Sequence, residues 1–116
     1  MSFIRILMCW VAWFISLGLA AQQSFLVMEY NVENLFDCRH DSLKNDLEFM
    51  PDSPRGWNYG KFRKKVENIA RVILSASREN VPDIIGLCEV ENEFCAETLV
   101  KYSQLKEAGY EYIITD

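Results

Sequence analysis

Four apolar residues, Phe25-Leu26-Val27-Met28, precede the polar group Glu29-Tyr30-Asn31. A short apolar run rich in sheet-favouring residues and bounded by polar ones predicts a strand over residues 24–30. Residues 31–60 carry few periodic apolar positions and are interrupted by Pro51, Pro54 and Gly56, so they read as one long connection. A loop of that length in a compact domain is more often functional than idle, although a plain surface insertion would show the same pattern.

Helical periodicity then takes over. Phe62, Val66, Ile69, Ile73 and Ala76 share one face, which predicts a helix over residues 61–79 with Asn58 as its N-cap. Lys64, Lys65, Glu67, Asn68 and Arg71 fill the other positions, and Glu67 precedes Arg71 by one helical turn in the favourable order. Arg63-Lys64-Lys65 reads as a solvated basic face, with contact to a phosphate as the alternative. Asn80-Val81-Pro82 ends the helix, because proline disfavours helical geometry in the residue before it. Residues 83–90 are apolar on both faces through Ile84, Ile85, Leu87 and Cys88. That pattern predicts a parallel strand covered on both sides. Residues 92–107 predict a second helix with Cys95, Leu99 and Tyr102 on one side, Gly109 as its stop, and a third strand over residues 110–115. The order strand, helix, strand, helix, strand defines an α/β domain with right-handed crossovers. A three-stranded sheet ending there would have an open edge and an uncovered face, so the chain is expected to be the amino-terminal piece of a larger domain.

The start of the chain obeys different rules. Residues 1–21 carry one charge, Arg5, then an apolar stretch that closes on Gly18-Leu19-Ala20-Ala21. It is short for a membrane span, which needs about 20 apolar residues. A positive start, an apolar middle and a small-residue exit describe a secretory signal peptide cleaved after Ala20 or Ala21, with an uncleaved anchor as the alternative. An exported protein, periplasmic or extracellular and without stable membrane insertion after cleavage, is the expectation. The whole chain carries a net charge of −5, and the part beyond Arg5 is one unit more acidic. Such a chain has no global attraction for nucleic acid or anionic lipid, which argues against a dedicated DNA-binding module. A phosphate-handling enzyme remains open, because a bound divalent cation can supply local positive charge. Beyond the leader lie Cys38, Cys88 and Cys95, an odd number that leaves at least one unpaired within the chain. No Cys-x-x-Cys spacing is present and His40 is the only histidine, which disfavours a structural zinc site.

The candidate chemistry lies where the apolar runs stop. Asn31 and Glu33 follow the first strand and Glu89 ends the second. If the strands are parallel neighbours, these side chains meet at the carboxyl edge of the sheet, where ligands of open α/β sheets bind. Carboxylate and amide oxygens suit a hard cation such as Mg²⁺, with Mn²⁺ or Ca²⁺ as alternatives. A turn at Asn31 and a solvated strand end at Glu89 would give the same pattern without chemistry. Glu91 and Glu93 read as acids that begin the second helix, where they complement its dipole.

Longer motifs weigh on that choice. Tyr-Asn-Val-Glu-Asn-Leu-Phe-Asp at residues 30–37, Lys-Asn-Asp-x-Glu-Phe at 44–49, Trp57 before the helix, Lys-Val-Glu-Asn-Ile-Ala at 65–70, and Pro-Asp-Ile-Ile-Gly-Leu-Cys-Glu-Val-Glu-Asn at 82–92 together resemble the endonuclease/exonuclease/phosphatase family. The resemblance covers residues 25–116. It implies part of a four-layer α/β sandwich of the DNase I type, with residues 22–116 as its amino-terminal part. It also implies divalent-metal-dependent hydrolysis of phosphate esters, in nucleic acid or in a small phosphodiester or phosphomonoester. By position, Asn31 is the active-site asparagine, Glu89 the metal ligand, and Glu33 an accessory ligand through water. The family's later motifs, a catalytic Asp with Asn and a late Asp-His pair, have no counterpart here, so this stretch alone is expected to be inactive. His40 reads as a surface-loop residue. Rival readings are a sphingomyelinase-like or inositol-phosphate phosphatase, a non-catalytic exported binding module on the same scaffold, and an independent interaction domain complete at Asp116.

Overall fold

The computed structural model describes residues 24–76 and 80–115. The expected signal peptide lies outside them, as do the last residues of the first expected helix. Among the described residues, no helix is long and apolar enough to cross a membrane.

Two parallel strands, β1 (Val27–Leu35) and β2 (Ile84–Val90), form the sheet. Among the described residues, two helices, α1 (Tyr59–Ser75) and α2 (Glu93–Tyr102), and two 3-10 helices at Leu47–Phe49 and Gln104–Ala108 complete the framework. The α/β class and the arrangement expected for the first part of a DNase I-like sandwich are therefore present. Ladder partners run from Val27 opposite Ile84 to Asn31 opposite Cys88, and the register then shifts before Leu35 meets Val90.

Packing arises from the alternation of side chains. Val32 and Leu35 are buried, and Met28, Tyr30, Ile85 and Leu87 pack beside them against Phe62, Val66, Ile69, Ile73, Leu99 and Leu105. These are the stripe of α1 and the inner positions of the α2 region. Burying a side chain of this size contributes about 1.5–3 kcal/mol. Asn58 caps α1 as expected, its side chain accepting from Lys61 N at 2.9 Å.

Four expectations are corrected. First, β2 is covered on one side only. Ile84 and Cys88 are exposed, because successive strand residues face opposite ways and both helices lie on the Ile85–Leu87 side. Second, the second helix ends at Tyr102, where Ser103 adopts extended backbone. Ser103 Oγ donates to Leu99 O and accepts from Leu105 N, so Leu105 replaces Tyr102 as the inner residue and Tyr102 is exposed. Third, residues 110–115 form no strand. Gly109 turns the chain at φ 69°, and the segment beyond it is tethered by side chains instead: Tyr110 OH donates to Pro82 O and Tyr112 OH to Glu93 Oε1. A groove of about 550 Å³ lies among this segment, β2 and α2. Fourth, β1 runs on through Leu35, and the connection after it has its own small core. Phe36 stacks on Phe49 at 4.2 Å, Trp57 meets Phe49 edge-on, and Trp57 Nε1 donates to Phe36 O at 2.9 Å.

Candidate functional site at the carboxyl edge of the strand pair

Parallel pairing brings Asn31 and the end of β2 together. Asn31 Nδ2 donates to Glu89 Oε1 at 3.0 Å, and Asn34 N donates to Glu89 Oε2 at 3.0 Å. Both carboxylate oxygens are thus engaged, each with lone pairs to spare. Asn31 Oδ1 accepts from Glu33 N at 2.9 Å, which fixes the amide's orientation. The Glu33 side chain is exposed at the same edge.

The backbone is bent to make this possible. Glu33, Asn34 and Glu89 have φ of 54°, 60° and 64°, the left-handed region. Such a conformation costs a non-glycine residue roughly 1 kcal/mol or more. The consecutive pair Glu33-Asn34 is where the β1–β2 register shifts. It swings the Glu33 and Asn34 amides toward Asn31 and Glu89, a placement that straight strand geometry would not give.

The donor set is oxygen only: the Glu89 carboxylate, the remaining lone pair of Asn31 Oδ1, and the Glu33 carboxylate. That chemistry fits a hard divalent cation, which takes a few protein oxygens and completes its shell with water or phosphate.

Lys65 is the residue at this edge that the sequence did not single out. It belongs to a basic run expected to face solvent, but the run divides. Arg63 donates to Tyr102 O at 2.7 Å, Lys64 is exposed, and Lys65 turns to the sheet. Its ammonium donates to Glu33 O, and to Asn34 O at 3.2 Å. Burial draws its pKa below the usual lysine range, an effect opposed by the nearby charges of Glu33 and Glu89. Its position carried a signal: Lys65 lies three residues after Phe62 and four before Ile69, on the flank of the buried stripe.

A second acidic group lies close by. Single ligand atoms of Asp37, Glu91 and Cys95 fall within 4.8 Å of one another. Glu91 does not start the helix as expected. Asn92 is the N-cap, and Glu91 Oε2 accepts from Asp37 N at 2.9 Å. Asp37 in turn accepts from Arg39 N at 2.8 Å and from Asn92 Nδ2 at 3.1 Å. Burial pushes Glu91 up to about 7 and the Cys95 thiol up to about 12. The bonds from Asp37 N to Glu91 and from Asn92 Nδ2 to Asp37 make this group a tie between the β1 loop and the start of α2. His40 is a loop residue as expected, with Nδ1 at 2.7 Å from Oδ1 of the buried Asp46. Asp46 also accepts from Asp41 N, and these bonds hold its carboxyl below the usual range.

A short parallel sheet whose carboxyl edge presents an amide and a carboxylate locked to each other defines an α/β protein with a candidate site at that edge, where ligands of such sheets bind. The chain belongs to the Endonuclease/Exonuclease/phosphatase family, whose model matches residues 26–116. Membership indicates phosphoesterase or nuclease-type chemistry on phosphoester substrates, a chemistry that in this family typically depends on divalent metal. No curated protein and no solved structure matches the chain.

Proposed function

We propose that the protein is the amino-terminal part of an exported phosphoesterase that hydrolyses phosphate esters with a divalent cation, Mg²⁺ or Mn²⁺, at the carboxyl edge of β1 and β2. Glu89 is the principal ligand, Asn31 orients it and faces the phosphate, and Glu33 contributes through water. Export rests on the leader pattern of residues 1–21. The observation that carries the reading is the Glu89 carboxylate, fixed by Asn31 Nδ2 and Asn34 N while its other lone pairs stay open to solvent.

A bound cation would polarise a phosphoryl oxygen and stabilise charge on the leaving oxygen. The residues of this chain do the rest by placement. Two neutral hydrogen bonds orient the Glu89 carboxylate without neutralising it, so its negative charge remains for the cation. His40 is engaged by Asp46 in the loop and takes no part in this scheme. The test is hydrolysis of bis(p-nitrophenyl) phosphate by the product of the complete reading frame, with Mg²⁺ or with EDTA. Chelation abolishes turnover, and Glu89→Gln lowers it about 10²–10³-fold, the scale for removing one preorganised electrostatic group. Undiminished turnover in a folded Glu89→Gln protein removes Glu89 from the mechanism.

A further inference from the structure

We infer that Lys65 is a positioning residue for the Glu89 site, acting through the peptide group that joins Glu33 to Asn34; this rests on reading that edge as a cation site. The peptide is planar and trans, so its carbonyl oxygen and its N–H point in opposite directions. The carbonyl of Glu33 accepts from Lys65 Nζ. The N–H of Asn34, across the same peptide, donates to Glu89 Oε2 at 3.0 Å. One rigid unit therefore connects the ammonium on α1 to the carboxylate at the end of β2. A cation on the carbonyl polarises the peptide and strengthens its N–H as a donor.

Three further observations point the same way. Lys65 Nζ also donates to Asn34 O at 3.2 Å, so one ammonium gathers both carbonyls of the left-handed pair. Left-handed backbone at two successive non-glycine residues persists only where the surroundings hold it, and here Lys65 is a holder. The ammonium also lies 5.9 Å from the centroid of the Trp57 ring, and that ring is fixed by its bond to Phe36 O.

The sign of one effect makes the inference testable. A lysine acting only as a nearby positive charge would repel a divalent cation, so its removal would tighten cation binding. A lysine that positions the ligand does the opposite. The experiment is Mn²⁺ binding to the intact protein, followed by the electron paramagnetic resonance of free Mn²⁺, with circular dichroism to confirm folding. Lys65→Met keeps the apolar stem and deletes the donor. It weakens Mn²⁺ binding about tenfold, the scale for losing a group that orients a metal ligand. Lys65→Arg keeps cationic donors and recovers part of that loss. The Asn34 amide proton moves upfield in Lys65→Met and returns in Lys65→Arg, a response that a purely structural lysine would not produce. Should the Met variant not fold, Lys65→Gln, too short to span both carbonyls, replaces it with the same expected loss. Binding in the substituted protein that equals or exceeds the wild type overturns the inference, as does an unmoved Asn34 resonance. Glu89→Gln separates the two levels: if it binds Mn²⁺ like the wild type, the cation site itself is refuted; if only it loses binding, Lys65 alone is.

Discussion

Glu89 and Glu91 are separated by one residue and live in different worlds. Glu89 is exposed at the end of β2, held by an amide side chain and a backbone N–H. Glu91 is half-buried, pushed up to about 7 by desolvation, and bonded to Asp37 N beneath the β1 loop. The left-handed turn at Glu89 helps send the two side chains apart. A carboxylate exposed at a strand end, with lone pairs left over from its two hydrogen bonds, can serve a cation. One that is partly desolvated and shares space with Asp37 works better as a structural tie. Proximity in sequence to a functional acid is thus a poor guide to role.

The contrast can be attacked from both sides. The largest effect is expected for Glu89→Gln, with turnover down about 10²–10³-fold and thermal stability little changed. Asn31→Ala removes the donor that aims Glu89, and cation affinity measured by calorimetry falls about 10–100-fold. Asn92→Ala strikes the structural side. It removes the α2 cap and a donor to Asp37, and costs about 1 kcal/mol of unfolding free energy in denaturant titration, the usual scale for a lost cap. Glu91→Gln is the subtlest. A carboxyl whose folded pKa is raised from 4.5 to about 7 takes up protons on folding between those values, so its contribution to stability falls as pH rises through that window. Gln stays neutral and can still accept from Asp37 N. The Glu91→Gln protein therefore melts higher than the wild type at pH 8 and no higher at pH 4. An equal difference at both pH values would show that Glu91 is not held in this desolvated state.

Much of this was legible in the residues. Phe62, Val66, Ile69 and Ile73 announced α1, Asn58 its start, and the two apolar runs announced the parallel strands that join Asn31 to Glu89. What stayed hidden depended on contacts between distant segments. Nothing local reports that Glu33 and Asn34 turn left-handed, since that conformation is held by Lys65 and by bonds to Glu89. Cys88 read as buried because a continuous apolar run does not say how many of its faces are covered. Residues 110–115 have strand composition, yet a strand is a relation between segments, and Tyr110 and Tyr112 anchor this one through side chains. The aromatic core of the loop was hidden for a simpler reason: Phe36, Phe49 and Trp57 are too far apart to form any period.

Cys88 has a practical use. It pairs with Asn31 across the ladder, on the open side of the sheet, and directly precedes Glu89, so a probe attached to its sulfur would sit beside the edge where Asn31 and Glu89 meet. Cys95 is sealed inside and will not compete for the label, and Cys38, half-covered, can be removed by Cys38→Ser. Once Cys38 and Cys9 of the leader are both replaced by serine, Cys88 can carry a fluorophore or spin label that would report occupancy of that edge directly.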